Sequence, residues 1–268
     1  MATINSFWGM QIRIVTYNIK SGRHHPLGLE AVARVVEALA PDILALQEVD
    51  EGMQRTGGVA QTDWLSRRLR MAGLFAPAMA YDGGQYGIAL LSRRPISAHE
   101  RRPLFHPEYS DAPSRPRHDS EPRVMLGARL ALPRAGSEGS SPLNIVATHL
   151  GLTPDQRLVQ AREVVDFARA WAGTEPLVVL GDFNCDPGAL ELAPLRVSLV
   201  DACDAQGVAG EARITFPVDV GAAATLGAEP TAIDYVWVSP GVSIRSARVL
   251  MDESGASDHR PLVVEVEL

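Results

Sequence analysis

Leu177-Val178-Val179-Leu180-Gly181-Asp182-Phe183-Asn184 is an apolar run that stops on a glycine followed by an aspartate and an asparagine. The four leading residues, Leu177–Leu180, read as a fully buried strand. A strand end is where a rigid scaffold delivers side chains to a cleft. The same arrangement recurs along the chain. Tyr17-Asn18, Gln47-Glu48, Thr148-His149, Ile233-Asp234-Tyr235 and Ser257-Asp258-His259 each follow or precede an apolar stretch.

Outward from this strand, short β runs alternate with helices and long loops. Gln11–Tyr17 alternates and is rich in β-branched residues, so it reads as a strand. Leu29–Ala40 places Leu29, Val32, Val36 and Leu39 at helical spacing until Pro41 stops it. Asp42–Val49 reads as a buried strand and Thr62–Met71 as a short helix capped by Thr62 or Asp63. Ile88–Leu91 is a further strand. Arg101–Pro122 reads as a long polar loop, a length that usually signals function or mobility. Val124–Leu132 and Leu143–Thr148 form an expected hairpin across the Gly/Ser-rich segment Arg134–Ser141. Thr153-Pro154-Asp155-Gln156 is a helix start, with Thr153 as cap, Pro154 at the first helical position and Gln156 completing a capping box. That helix should run to about Trp171. Strands follow at Ile233–Val238, Val242–Val249 and Leu262–Val266. No repeat or linker interrupts this series. The expectation is one α/β domain over residues 10–268, with mixed sheets in layers and helices outside. Residues 1–9 read as a short extension, and Met10 is an alternative start.

Composition limits the function classes. The chain has 268 residues, 46 % of them hydrophobic, which supports a full core and argues against disorder. It contains no run of 18 apolar residues and no basic-then-apolar leader, so a cytoplasmic protein without stable membrane insertion is expected. Cys185 and Cys203 form no zinc pattern and cannot staple a fold of this size. With 25 basic against 32 acidic residues the net charge is −7, which argues against life on bulk nucleic acid. Lys20 is the only lysine. Nine arginines fall in Arg93–Arg134 against five acids, so that stretch is locally basic and a candidate for meeting phosphate.

Singly, each polar strand end has an ordinary explanation. Asn18 suits a turn, Glu48 a solvated strand end, His149 a core histidine, Asp182 and Asn184 a tight turn. Asp234 could pair with an arginine, and Asp258-His259 could be a loop. The set is harder to explain that way. It joins four carboxylates, two histidines and two asparagines where strands stop. Such oxygens are hard ligands suited to Mg²⁺ or Mn²⁺, and histidines beside a spare carboxylate suit water activation at a phosphate.

In these motifs the chain resembles the endonuclease/exonuclease/phosphatase (DNase I-like) superfamily. YNIKSG (17–22), LQEV (46–49), YGIALLS (86–92), ATHLG (147–151), LGDFN (180–184), IDYVWVS (233–239) and SDHRP (257–261) occur in that family's order. The resemblance implies a four-layer α/β sandwich, two sheets face to face with helices outside. It implies Glu48 as principal metal ligand with Asn18 and Asp258 nearby, and Asp182 and Asn184 positioning and deprotonating water. It further implies that Asp234 orients His259, that His259 contacts the scissile phosphate, and that His149 is a second phosphate ligand. Arg55, Tyr86, Arg123 and Arg157 are candidate substrate contacts, Arg157 near the start of the helix that follows His149. One departure stands out: apurinic endonucleases of this superfamily usually carry an acid where this chain has Lys20. An ammonium there would weaken cation binding or contact a substrate phosphate. The spellings YGIALLS and THLG resemble the bacterial general hydrolase branch. The expected function is a Mg²⁺- or Mn²⁺-dependent hydrolase of a small-molecule or lipid-headgroup phosphodiester. The alternatives are a DNA or RNA nuclease using the same site and a catalytically dead binding module.

Overall fold

A computed structural model describes residues 9–107, 121–133, 140–218, 229–251 and 255–268. The expected N-terminal extension lies outside these except for Gly9. So do residues 108–120 of the expected long loop and residues 134–139 of the hairpin connection.

In chain order the elements are β1 (Gln11–Asn18), α1 (Leu29–Leu39), β2 (Ile43–Glu51), α2 (Gln61–Leu69), β3 (Ala72–Tyr81), β4 (Gly84–Ser92), β5 (Ile96–Pro103), β6 (Val124–Pro133), β7 (Ser140–His149), α3 (Pro154–Ala172) and β8 (Leu177–Asp182). The short α4 (Ala193–Arg196), β9 (Val200–Asp201) and α5 (Ala202–Ala205) precede β10 (Asp234–Val238), β11 (Ser243–Val249) and β12 (Leu262–Glu267). They build two six-stranded sheets, ordered β11-β12-β1-β2-β4-β3 and β5-β6-β7-β8-β10-β9. Each sheet has one parallel pair at its centre, β1 with β2 and β7 with β8, among antiparallel neighbours.

The period-2 pattern of the central strands places the layers. Side chains alternate across a strand, so Ile12 and Ile14 enter the core between the sheets while Val15 and Tyr17 face the α1/α2 side. On β8, Val178 and Leu180 point into the inter-sheet core, and Leu177 and Val179 pack with Val164 and Phe167 of α3. Both faces of both sheets are covered, which is why these strands read as continuous apolar runs. The result is a four-layer α/β sandwich.

Several local expectations need correction. The strand β3 was not legible, because Ala72–Tyr81 is alanine-rich, contains Pro77 and lacks alternation. It lies at a sheet edge, where proline is tolerated. Arg101–Pro103 are not loop but the end of edge strand β5, paired with Val124–Leu126. Neither Thr62 nor Asp63 caps α2. Instead the Glu51 carboxylate, from the neighbouring strand, accepts the Thr62 N–H at 2.7 Å. The capping box of α3 is also absent: Thr153 makes no side-chain cap, and Gln156 is buried with its amide lacking a hydrogen bond. Inward packing against Gly151 has claimed the Gln156 side chain. Cys185 and Cys203 are buried and free, and burial pushes both thiols up to about 12, so neither is a thiolate nucleophile.

Candidate active site

The pairing of the strands brings the polar strand ends to one edge of the sandwich. Because β7 and β8 are parallel, His149 lies opposite Asp182. Because β10 runs antiparallel to β8, its first residue, Asp234, also lies opposite Asp182. Directly opposed residues share a face, so His149, Asp182 and Asp234 form one row. In the other sheet β1 and β2 are parallel and their pairing ends with Asn18 opposite Gln47, beyond which β2 continues to Glu51 against β4. Strand β12 returns antiparallel to β1, which carries the Ser257–His259 turn to the same edge. There Ser257 Oγ donates to the Asn18 carbonyl at 2.7 Å.

Local backbone distortion aims the side chains. The register of β2 against β4 shifts between Leu46 and Val49, and Glu48 there has φ 56°. Such a bulge re-aims a side chain. Gln47 stays buried, exchanging hydrogen bonds with Thr16, while Glu48 reaches the cleft. After β8, Asn184 is also left-handed at φ 52°. Its backbone N–H donates to Asp182 Oδ1 at 2.9 Å, and its side chain donates to the Leu150 carbonyl at 2.8 Å. Gly181 is required by space: a Cβ there would stand 1.9 Å from the Thr148 carbonyl oxygen. Strained positions of this kind persist only where surrounding structure over-determines them.

Asn18 joins the two sheets. Its Nδ2 donates to Glu48 Oε1 and to Asp182 Oδ2, both at 3.0 Å, and its Oδ1 accepts the Lys20 N–H at 3.1 Å. All its polar atoms are thus engaged by protein, so in this arrangement Asn18 positions carboxylates rather than offering a free oxygen. His259 Nδ1 lies 2.9 Å from Asp234 Oδ2, and its Nε2 is 3.8 Å from Asp182 Oδ2. Burial works against an imidazolium here, but Asp234, Asp182 and Asp258 prevail and hold His259 up at about 9. His149 behaves oppositely. Burial and the adjacent Arg123 charge push it well below the usual histidine range, so it is neutral. Its Nε2 is 3.5 Å from Asp182 Oδ2 and its Nδ1 is 3.4 Å from Arg123 Nη1. Burial, then the charge of Asp234, raises Asp182 to about 7.

Asp182 and Asp234 bring two carboxylates into a buried setting, with Glu48 held beside them through Asn18, and such hard oxygens fit a divalent cation. Among the described residues, Asp182, Asp234 and His259 place ligand atoms within 4.8 Å of one another. An imidazolium already paired with Asp234 is a poor cation ligand, and the other carboxylates at this edge are Glu48, which lines the cleft, and Asp258, whose Oδ2 lies 2.9 Å from Lys20 Nζ. Burial would raise Asp258, but His259 and Lys20 outweigh it and keep the carboxylate ionised.

A cleft of about 880 Å³ opens at this edge; Asn18, Asp234 and Asp258 are not among the residues that line it. Lys20, Glu48, Arg55, Tyr86, Arg123, His149, Asp182, Asn184 and His259 line it. The four expected substrate contacts divide. Arg123 reaches the cleft, held beside Glu121 at 3.2 Å and His149. Tyr86 lines it, and burial raises its phenol well above the usual range. Arg55 also lines it, but buried Asp50 accepts from its Nε at 2.8 Å and Nη2 at 2.7 Å, so its charge is already neutralised. Arg157 is a correction: it is buried, bonded to Glu191 at 2.7 Å and to the Leu152 carbonyl, and does not line the cleft. The arginine-rich stretch is corrected likewise. Arg93 and Arg94 bond Pro41 and Asp42, and Arg129 bonds Asn144 and the Trp171 carbonyl. Among its described members only Arg123 faces the cleft. Sequence reading missed Tyr81, Met79, Glu121 and Phe216 in the lining. Tyr81 ends the illegible β3, and Phe216, whose ring centroid is 4.7 Å from that of His259, sits in a segment without periodicity.

A model of the endonuclease/exonuclease/phosphatase family matches residues 15–259, a span that contains every one of these residues. The chain belongs to the endonuclease/exonuclease/phosphatase family. Members of the family hydrolyse phosphoesters and are generally divalent-metal dependent. The uncharacterised protein YbhP of Escherichia coli K12 is 25 % identical, with 96 % of each chain covered. Among solved structures, an endonuclease/exonuclease/phosphatase from Bacteroides vulgatus aligns with TM-score 0.74 at 20 % identity, over 97 % of this chain and 99 % of that one. The human Nocturnin catalytic domain with bound sulfate aligns with TM-score 0.72 at 22 % identity, over 96 % and 94 %. At this identity the likeness to both structures is one of fold. No helix among the described residues of this family member is long and apolar enough to cross a membrane.

Proposed function

We propose that this chain is a divalent-metal-dependent phosphoester hydrolase acting on a compact, small-molecule or headgroup-sized phosphodiester. The observation that carries the reading is Asn18 Nδ2 holding Glu48 and Asp182 at 3.0 Å each, with the His259–Asp234 pair and His149 beside them. Glu48 and Asp258 would hold the cation, which supplies charge neutralisation at the phosphoryl oxygens. Asp182, raised to about 7 and fixed by the Asn184 N–H, accepts the proton of the attacking water. His259, kept protonated by Asp234, donates a hydrogen bond to the phosphoryl group. Neutral His149 with Arg123 binds a second phosphoryl oxygen. Mg²⁺ and Mn²⁺ are the ions of choice for such hard oxygens.

The size of the cleft and the pairing of Arg93, Arg94 and Arg129 inside the protein support a compact substrate over a polynucleotide, which needs a continuous basic groove. The test is a substrate panel of bis-p-nitrophenyl phosphate, lipid-headgroup diesters, sugar phosphates and an abasic-site duplex, assayed with Mg²⁺ or Mn²⁺. Hydrolysis of a small diester that EDTA and Glu48→Ala both abolish is expected. Turnover that persists in EDTA, or far faster cleavage of the duplex, overturns the proposal.

A further inference from the structure

Lys20 stands among the residues that would hold the cation. Its Nζ lies 2.9 Å from Asp258 Oδ2, and Glu48 and Asp258 are the negative charges acting on it. Its backbone is left-handed, φ 49°, and its N–H donates to Asn18 Oδ1 at 3.1 Å. One residue therefore engages a carboxylate oxygen of Asp258 with its side chain and the amide oxygen of Asn18 with its backbone. Both are oxygens a hard divalent ion would use. The ammonium is a compact point charge on a flexible four-carbon stem, and a divalent ion close to it is repelled across a partly dry site.

We propose that Lys20 is the resident counter-ion of Asp258, so that a divalent ion taken up by Glu48 and Asp258 binds in competition with the ammonium. The inference rests on reading the cleft as a divalent-metal site. It gives the only lysine of an otherwise all-arginine basic set a defined task. A guanidinium is a larger, planar fork, but it keeps the positive charge that the proposal depends on.

The experiment is a Mn²⁺ titration of the full chain, reading free Mn²⁺ by electron paramagnetic resonance, without substrate. Wild type, Lys20→Met, Lys20→Arg and Glu48→Ala are compared after circular dichroism has established that each is folded. Wild type is expected to bind Mn²⁺ saturably. Lys20→Met should bind at least about tenfold tighter, because a repelling unit charge has gone. Lys20→Arg should stay within about threefold of wild type, because that charge remains. Equal or weaker binding by Lys20→Met, with Glu48→Ala impaired, overturns the counter-ion role and leaves the metal reading standing. No saturable binding by either wild type or Lys20→Met overturns both.

Discussion

His259 Nδ1 and Asp234 Oδ2 meet at 2.9 Å across 25 residues of chain, both side chains buried. A carboxylate so placed fixes the ring orientation and favours the imidazolium. Asp234→Asn keeps the shape and removes the charge. We expect kcat to fall by about 10²-fold or more, the range of a lost transition-state donor. The alkaline limb of kcat/KM, expected near 9 in wild type from His259, should move towards the ordinary histidine value. A limb that stays in place in Asp234→Asn removes Asp234 from this role.

The metal-free protein should lose stability as pH rises. His259 is held at about 9 in the folded chain against a usual 6.5, so its contribution is complete below 6.5 and disappears as pH climbs through 9. Asp182 acts in the same sense lower down. Its folded value of about 7 against 3.8 means the native state keeps a proton that the unfolded chain releases between those values. Buried, neutral His149 acts oppositely below 6.5, where the unfolded chain takes up a proton that the folded ring does not, so urea melts in EDTA should show midpoints roughly level from about pH 5 to 6.5 and declining from there to about pH 9. A flat or rising profile over that upper range would contradict the assigned protonation states.

Gly181→Ala should damage folding more than any polar substitution at the site. The new methyl would meet the Thr148 carbonyl at 1.9 Å, at φ 146°. The two atoms belong to paired strands and cannot separate without opening the β7–β8 ladder. A loss of about 3 kcal/mol or more is expected, seen as a Tm drop of about 10 °C or as insolubility. A variant that melts with wild type would show that the strands give way easily.

Arg123 and Arg157 should separate cleanly. Arg157→Ala strands the Glu191 carboxylate in a nearly buried setting, for about 3 kcal/mol of lost stability. Its kcat/KM, measured well below the lowered Tm, should stay within about threefold of wild type, the scatter expected away from the reacting groups. Arg123→Ala removes a cleft cation beside His149 and should lower kcat/KM by about tenfold or more, the loss of one charged hydrogen bond. Equal kinetic loss in both variants would return Arg157 to the substrate site.

Much of the architecture was legible because the central strands bury both faces. Ile12 to Tyr17 and Leu177 to Leu180 carry the apolar content that a doubly covered sheet demands, and α1 carries a clean 3.6-residue period. Edge elements were not legible. β3 and the end of β5 are held by backbone pairing on one side only, so their side chains need satisfy little, and their sequences look like loop. Capping failed for a related reason. Thr62 and the Thr153–Gln156 capping box are good helix starts in isolation, but Glu51 of β2 bonds the Thr62 N–H and inward packing against Gly151 takes the Gln156 side chain instead.

From its residues alone the chain determined that carboxylates, histidines and asparagines stand at or beside strand ends, and that short strands alternating with helices build a layered α/β protein. That much is local, since it depends on periodicity and on which side chain follows an apolar run. The use of each charge is not local. Arg55 and Arg157 are as available as Arg123 on paper, yet Asp50 neutralises the first and Glu191, 34 residues away, holds the second. Lys20 faces Asp258, which arrives from the far end of the chain. Ion pairs form between charges that folding brings within a few ångströms, and a distance between side chains on different strands is set by register and sheet packing. Tertiary structure therefore decided which cations remain to meet a phosphate, and which are already spoken for.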